Sequence, residues 1–264
     1  MTYIDSNKEA WEEAFEKRSK EWGNNMCKRL QTEQYPYLEK ELIDECKEFD
    51  FANKTVSQFC CNDGRELLSI MKFGAKLGIG FDIAENMVAY ANEHARKMGY
   101  NCVFEATNIL GINEEYQNRF DYLFITIGAL NWFEKLPLFF EKVSECLKVG
   151  GTVVIHEMHP VANMLGAQGE ENFDQNERNK LLNSYFKKEP WIENNGMHYI
   201  SGEAYSSKVF TNYSHTMEDI INSMIQNGIC IRKLKEYEKD ISELFNDLSD
   251  KGIPLSYILI GQKM

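Results

Sequence analysis

The segment 56-VSQFCCNDGRELLSI-70 decides the fold class of this chain. It begins as a short apolar run typical of a buried strand, turns at Asn62-Asp63-Gly64 and continues with the pattern of a helix. A strand, a tight turn and a helix in this order are the layout of a nucleotide-binding turn. Such turns usually contain several glycines, whereas this one has only Gly64. Which ligand accepts this turn is the question that the rest of the sequence must answer.

The alternation of strands and helices continues beyond this segment. Amphipathic helices separate most of the predicted strands, which are residues 55–60, 76–83, 101–108, 120–129 and 150–159. Such alternation implies right-handed βαβ units and a parallel sheet that is covered by helices on both faces. We therefore predict an α/β, doubly wound, Rossmann-like core over residues 50–160.

The last part of the chain is predicted to complete this sheet. Thr216 and Asp219 are typical of the N-terminal cap of a helix, and Gly228 of its C-terminal end. A short helix is predicted at 240–250, between two strands at 229–238 and 253–263. Because no long crossover helix joins these two strands, we expect an antiparallel pair at one edge of a seven-stranded sheet.

Two segments are predicted to lie outside the sheet. Residues 1–49 form an N-terminal helical cap, with helices at 6–21 and 33–48. The rest of the chain, 50–264, is the core, and it contains an insertion at about 161–215. This insertion breaks the alternation and mixes polar with aromatic residues, so we expect it to act with the N-terminal helices as a lid that excludes water.

Composition and charge exclude several classes of protein. With 29 Lys and Arg against 41 Asp and Glu, the formal net charge is -12, which gives no overall attraction for nucleic acid or anionic lipid. No apolar run approaches the roughly 20 residues of a membrane span, and no signal peptide is recognised. The seven cysteines contain no C-x-x-C pair, which favours reduced thiols and a cytoplasmic protein. We expect neither a nucleic-acid nor a membrane partner.

The residues of the turn distinguish between cofactors that contain adenosine. Asp82 closes the second predicted strand, where a carboxylate can accept hydrogen bonds from both ribose hydroxyls. A pyrophosphate needs glycines at the turn, but Cys60, Cys61 and Asn62 occupy those places. Asp63 would add a negative charge, so NAD, FAD and ATP are disfavoured. A cofactor that carries a sulfonium and an amino acid zwitterion instead of phosphates fits this turn better.

With these features the sequence resembles the class I S-adenosylmethionine-dependent methyltransferases, specifically the small-molecule group of ubiquinone- and glycine-methyltransferase type. The resemblance covers residues 50–160 and, in topology only, the last part of the chain. Its motifs are VSQFCCNDGRE (56–66), GIGFDIAENMVAYAN (78–92), ATNI (106–109), FDYLFITIGALNWF (120–133) and CLKVGGTVVI (146–155).

The resemblance implies S-adenosylmethionine as the cofactor. It places the backbone at Cys60 and Asn62 against the methionine portion, allows a close approach at Gly64, and lets Asp82 hold the ribose. Adenine contacts are implied for Ile83, Met87, Asn108 and Ile109, and contacts below the sulfonium for Ile127 and Gly128. The family most often has Asp or Glu where this chain has Gln58, so this position brings no charge to the methionine ammonium.

Methyl transfer from a sulfonium depends mainly on holding the acceptor, the methyl carbon and the sulfur in line. A general base is needed only when the acceptor must lose a proton. His159 or His215 facing the acceptor would suit this role; alternatively, His215 only begins a helix and His159 only bonds backbone groups. The candidate catalytic side chains are His159, Tyr213 and His215, with Glu157 nearby. No metal site is predicted, because His156 and His159 lie on opposite faces of their strand.

The sequence therefore predicts an enzyme that transfers the methyl group of S-adenosylmethionine to a small-molecule acceptor by in-line displacement. The alternatives are a macromolecular acceptor such as tRNA or protein, a nucleotide-dependent oxidoreductase of NAD type, and a non-catalytic protein that binds the cofactor. Neither the acceptor nor the oligomeric state is indicated by the sequence.

Overall fold

A computed structural model describes residues 2–167 and 173–264. The strands in this part of the chain are β1 Thr55–Phe59, β2 Leu77–Asp82, β3 Cys102–Ala106, β4 Phe120–Thr126, β5 Leu147–Met158, β6 Trp191–Glu193, β7 Phe210–Asn212, β8 Ile229–Tyr237 and β9 Ser256–Lys263. One sheet has seven strands in the order β3-β2-β1-β4-β5-β9-β8. Strands β1 to β5 are parallel, and β9 runs antiparallel to both β5 and β8. The predicted Rossmann-like sheet with an antiparallel C-terminal edge pair is confirmed.

Helices cover both faces of this sheet. The α-helices of the described chain are α1 Tyr3–Glu16, α2 Met26–Thr32, α3 Lys40–Cys46, α4 Arg65–Ile70, α5 Glu85–Met98, α6 Leu136–Cys146, α7 His198–Ser201 and α8 Met217–Gln226. Helices α2 to α5 pack on one face of the sheet, and α6 and α8 pack on the other. Helix α8 begins with the predicted capping box of Thr216 and Asp219.

The side chains of β4 and β5 alternate between two hydrophobic cores. Ile125 and Ile155 belong to the core under α6 and α8, whereas Phe124 and Val154 belong to the core under α2 to α5. All four side chains are fully buried, and burial of one such side chain contributes about 1.5–3 kcal/mol. Because both faces of the sheet are buried, its central strands are apolar at nearly every position.

The predicted N-terminal helices are shifted or shortened in the structure. Helix α1 begins at Tyr3 rather than at residue 6, because Thr2 and Asp5 form a capping box. The helix predicted at 33–48 is present only as α3. Pro36 precedes it, and proline provides no backbone N–H for a helix interior.

The helix predicted at 240–250 was wrong. The structure has one short 3₁₀ turn there, at Asn246–Leu248. The carboxylate of Asp240 accepts hydrogen bonds from the backbone N–H groups of Ser242 and Phe245, at 3.0 and 2.9 Å. Such local bonds from an aspartate compete with helix formation.

The N-terminal helix and the insertion contact each other. The side-chain amide of Asn7 donates to the carbonyl of Thr211 at 2.8 Å and accepts from its N–H at 2.7 Å. The backbone N–H of Ser19 donates to the carbonyl of Ile200 at 2.9 Å. In the structure, "cap" denotes α1 together with residues 198–212 rather than the whole predicted N-terminal segment 1–49. Among the described helices none combines the length and apolar character that a membrane crossing requires.

Candidate cofactor and acceptor site

The turn after β1 is built from residues with left-handed backbone conformations. The φ angles are +56° at Cys60, +51° at Asn62 and +78° at Gly64. Asparagine and glycine accept such angles more readily than other residues. At Gly64 a β-carbon would lie 2.6 Å from the ring of Phe104, so this position also has no space for a side chain. The structure therefore requires glycine only at the last position of this turn.

Asp82 joins the turn after β1 to the end of β2. Its Oδ2 atom accepts a hydrogen bond from the N–H of Asn62 at 2.7 Å, and its Oδ1 atom accepts one from the N–H of Ala84 at 3.0 Å. Burial raises the pKa of Asp82, and these backbone bonds oppose the shift. Because a carboxylate has about four acceptor positions, Asp82 retains capacity for ligand hydroxyls.

Asp63 does not present its charge to the cleft. The expectation that its negative charge disfavours a phosphate-containing cofactor was therefore wrong. The side chain is buried, and its two carboxylate oxygens accept hydrogen bonds from Nε of Arg65 at 2.8 and 2.9 Å. The Arg65 guanidinium also lies over the ring of Trp22, 4.6 Å from its centroid. The charge of Asp63 is therefore neutralised within the turn. The missing glycines remain the argument against a dinucleotide.

Gln58 forms a polar cluster with Glu66 and Thr126, which were not predicted from the sequence as site residues. Its Nε2 atom donates to Oε2 of Glu66 at 2.7 Å and to Oγ1 of Thr126 at 2.8 Å. Thr126 in turn donates to the same Glu66 oxygen. Glu66 lies in the first turn of α4, and an acidic residue there is so common that it gave no separate signal.

The residues predicted to contact adenine lie in two different settings. Ile83 is half-buried beside Asp82, and Asn108 is exposed, with its Oδ1 atom accepting from the N–H of Leu110 at 3.1 Å. Ile109 and Met87 are buried in hydrophobic clusters. The cluster of Met87 includes Ala10, Ala14, Phe15, Ala84, Ile200 and Phe210, so this side chain also supports the cap.

The loop after β4 is held by a buried carboxylate on β5. Glu157 accepts hydrogen bonds from the N–H of Gly128 at 2.6 Å and from the N–H of Leu130 at 3.1 Å. Burial raises the pKa of Glu157 to about 7, although these backbone bonds lower it in part. Glu157 therefore positions Gly128, which was predicted together with Ile127 to lie below the sulfonium. From the sequence, Glu157 was placed only near the candidate catalytic side chains.

A small polar cavity lies beside this loop. Its volume is about 10 Å³, which is close to the space needed for one water molecule. The Tyr257 hydroxyl is fully buried and has no hydrogen-bond partner within the described chain. The lining residues are Leu130, Asn131, Glu157, Met158, Pro160, Asn163, His215, Ile220 and Tyr257. His215 is thus brought next to Glu157.

The three predicted catalytic residues differ in what their side chains contact. His159 Nδ1 accepts from the N–H of Val161 at 3.1 Å, and its Nε2 lies 2.9 Å from Oε1 of Glu236. His215 Nε2 lies 2.9 Å from the carbonyl of Phe133. The ring of Tyr213 packs edge-on against Tyr3, with 5.4 Å between the centroids. Burial lowers the pKa of both histidines, which favours neutral imidazoles.

Comparison with known proteins supports this fold. A family model described as a methyltransferase domain matches residues 51–200, which is more than half of the chain. No curated relative matches the sequence.

Solved structures provide a second comparison. A protein of Listeria monocytogenes, assigned as an S-adenosylmethionine-dependent methyltransferase, superposes with a TM-score of 0.63 at 21% identity, over 84% of this chain and 97% of that one. An S-adenosylmethionine-dependent methyltransferase of Mesorhizobium loti gives 0.60 at 18% identity, over 83% and 96%. Geranyl diphosphate C-methyltransferase of Streptomyces coelicolor A3(2) gives 0.61 at 11% identity, over 100% and 98%.

At these identities the solved structures show a shared fold, and the family model shows the family. The predictions of an enzyme, of a class I methyltransferase and of S-adenosylmethionine as its cofactor are confirmed at this level. The chain belongs to the methyltransferase-domain family.

Proposed function

We propose that this protein transfers the methyl group of S-adenosylmethionine to a small-molecule acceptor by in-line displacement. The cofactor would lie at the carboxyl ends of β1, β2 and β4, where Cys60, Asn62 and Asp82 come together. Asp82 has acceptor capacity left for the ribose hydroxyls, and the amide nitrogen of Asn108 is available to the adenine, because only its Oδ1 atom is used by the backbone.

The observation that carries the small-molecule assignment is the cap over the loop after β4. Trp132 lies in this loop and packs edge-on against Trp11 of α1, at 5.2 Å between ring centroids. Phe210 of β7 packs against both rings, at 5.4 and 5.9 Å. An aromatic cover of this kind leaves little access for a tRNA or a folded protein. The Streptomyces neighbour was crystallised with geranyl diphosphate, which is also a small molecule.

The bound cofactor supplies a methyl group made electrophilic by its sulfonium. An acceptor held in line with the carbon–sulfur bond would take the methyl group on its electron pair, and S-adenosylhomocysteine would be the leaving product. The protein contributes mainly by alignment, which in favourable cases lowers a barrier by several kcal/mol. Glu157 serves this alignment because it fixes the N–H groups of Gly128 and Leu130.

A general base is required only when the methyl acceptor must lose a proton. Glu157 has a pKa of about 7, near the value that suits a general base at neutral pH, and His215 adjoins it in the polar cavity. We assign His215 and Tyr213 to the acceptor side of the site. His159 bonds the backbone of Val161 and lies beside the Glu236 carboxylate, so we assign it to positioning the segment after β5.

Calorimetric titration with S-adenosylhomocysteine and with NADH in parallel tests the cofactor assignment. We expect binding of S-adenosylhomocysteine and none of NADH. Tight NADH binding alone would make the protein an oxidoreductase instead. The matched variants are Asp82→Asn, which should weaken binding, and Asp121→Asn, which should not, because Asp121 lies at the amino end of β4.

Incubation with cofactor carrying a radiolabelled methyl group and a cell extract tests the acceptor. We expect the label in the low-molecular-mass fraction. Label in tRNA or in protein would establish a macromolecular acceptor. Binding of S-adenosylhomocysteine without transfer to any fraction would instead support a non-catalytic protein that binds the cofactor.

A further inference from the structure

The cluster of Gln58, Glu66 and Thr126 has more hydrogen-bond acceptors than donors. Both N–H groups of the Gln58 amide are used, one by Glu66 and one by Thr126. The Thr126 hydroxyl donates its single proton to Glu66. Gln58 Oε1 is completely buried and has no partner among the described residues. A buried acceptor without a donor is destabilising by about 1–3 kcal/mol, so the cluster is incomplete without a further donor.

The cluster also lacks a positive charge. The described part of the chain places no lysine, arginine or histidine in an ion pair with Glu66. Arg65, its neighbour in sequence, is bound to Asp63 instead. Burial raises the pKa of Glu66, and the hydrogen bonds from Thr126 and Gln58 only oppose this shift. A cationic donor at this place would satisfy both the carboxylate and the unpaired Gln58 oxygen.

The position of the cluster indicates which donor this is. Gln58 is followed directly by the turn at Cys60 and Asn62, and Thr126 is followed directly by Ile127 and Gly128. The cluster therefore lies between the two loops that the proposed function assigns to the methionine portion and the sulfonium. That portion of the cofactor carries an ammonium group, which offers three N–H donors and one positive charge.

We infer that Glu66 is the carboxylate that binds the ammonium of the cofactor's methionine portion, with Gln58 Oε1 as a second acceptor. The acid that related enzymes most often carry at the position of Gln58 is here provided by the first turn of α4. This inference rests on the proposed function, because it assumes that S-adenosylmethionine occupies the cleft. It assigns a binding residue to a position where the family resemblance gave none.

Calorimetry with two ligands tests this assignment. One ligand is S-adenosylhomocysteine, and the other is its deaminated analogue, in which hydrogen replaces the ammonium group. Glu66→Gln should weaken binding of S-adenosylhomocysteine by roughly 10- to 100-fold, the range for a hydrogen bond to a charged group. The same substitution should leave binding of the analogue nearly unchanged.

Two further variants separate binding from folding. The exchange variant Gln58→Glu/Glu66→Gln returns the acid to β1 and should recover most of the lost affinity. Glu93→Gln removes an exposed carboxylate of α5 that pairs with Lys97, and it should change neither affinity. The melting temperature of each variant is measured in parallel.

The possible results distinguish the inference from the function on which it rests. Equal losses for both ligands would mean that Glu66 only supports the fold of the turn, and unchanged affinity for S-adenosylhomocysteine would exclude it from the site. Either result overturns the inference and leaves the proposed function in place. A wild-type protein that binds neither ligand would overturn both.

Discussion

The two ends of the parallel strands place carboxylates in opposite electrostatic settings. The amino edge is the side of the sheet on which β1 to β5 begin, and the carboxyl edge is the side on which they end. At the amino edge, Asp121 of β4 accepts a hydrogen bond from the N–H of Thr55 at 2.9 Å and one from Lys148 at 2.7 Å. Lys54 lies 3.7 Å away. Burial would raise the pKa of Asp121, but the bonds from Lys148 and Thr55 outweigh it, so the pKa is lowered.

At the carboxyl edge Asp63 is paired with Arg65, but three other carboxylates form no ion pair within the described residues. Within residues 2–167 and 173–264, Asp82 and Glu157 bond backbone N–H groups, and Glu66 bonds two neutral side chains. Burial raises the pKa of all three. The paired charge of Asp121 therefore stabilises the fold, whereas the charges of Asp82, Glu66 and Glu157 are left for a ligand to balance. Unbalanced buried carboxylates in a cleft are typical of functional sites.

The largest expected effect concerns the glycines of the two edges. Gly64→Ala should lower the free energy of unfolding by about 4 kcal/mol, because the new methyl group meets the Phe104 ring at 2.6 Å and the backbone is left-handed. Gly150→Ala, at the amino edge, has an equally positive φ but open space, so about 1 kcal/mol is expected. Urea denaturation measures both. Equal losses would show that the turn after β1 is not closely packed.

The next effect is the pH dependence of stability caused by Glu157. Its pKa rises from 4.5 to about 7 on folding, so the native state binds the additional proton between these values. The contribution of Glu157 to the free energy of unfolding is then fully present below pH 4.5 and is lost as the pH rises through about 7. Between pH 4.5 and 7.5 the wild type should lose about 3 kcal/mol relative to Glu157→Gln.

The control for this measurement is the carboxylate at the amino edge. The pKa of Asp121 is lowered, so its contribution is present at neutral pH and is lost as the pH falls below 3.8. The difference in the free energy of unfolding between the wild type and Asp121→Asn should therefore stay constant from about pH 5 to about pH 8 in urea titrations. A constant difference for Glu157→Gln over the same range would contradict the contrast between the edges.

A smaller effect separates binding from stability. Asp82→Asn should weaken binding of S-adenosylhomocysteine by about 2 kcal/mol, or roughly 30-fold, because the ribose hydroxyls lose a charged acceptor. Asp121→Asn should leave this affinity unchanged and lower stability instead, since Lys148 and Lys54 lose their partner. Calorimetry and thermal melting measure the pair. Unchanged affinity for Asp82→Asn would place the ribose elsewhere.

The smallest effect concerns the cap, which covers only the carboxyl edge. Asn7→Ala removes the two hydrogen bonds to the backbone of Thr211, and about 1 kcal/mol of local stability should be lost. Hydrogen exchange at the Thr211 amide should become roughly fivefold faster, while exchange within β4 stays the same. Asn24→Ala, at an exposed position between α1 and α2, is the control. Faster exchange in β4 as well would mean that the cap and the sheet unfold together.

The features that the sequence predicted correctly depend on local pattern. The apolar strands at regular intervals predicted the sheet, and Thr216 with Asp219 predicted a helix start that needs only residues three positions apart. Asp82 was found because it closes a strand next to the turn, and the structure does join it to that turn. The assignment of these residues to the cofactor remains a prediction.

The features that were missed depend on which side chains meet after folding. Asp63 was given a free charge, but Arg65 neutralises it within one turn of chain. The link of Glu66 to Thr126 joins a helix to a distant strand, and no local pattern reports such a pair. The clamp of Glu157 on the N–H of Gly128 is equally non-local. The strands of the sheet were thus accessible from sequence, whereas these hydrogen-bond partners were not.

The packing of α1 against Met87 and Phe210 sets a lower limit on the length of chain that can fold stably. A chain shortened to begin at residue 17 would lack Ala10, Ala14 and Phe15, all of which are buried. Met87 and Phe210, which pack against them, would then face water. Removing α1 would therefore expose apolar surface and promote aggregation rather than give a more open enzyme. For expression and crystallisation, the first helix belongs to the smallest stable unit.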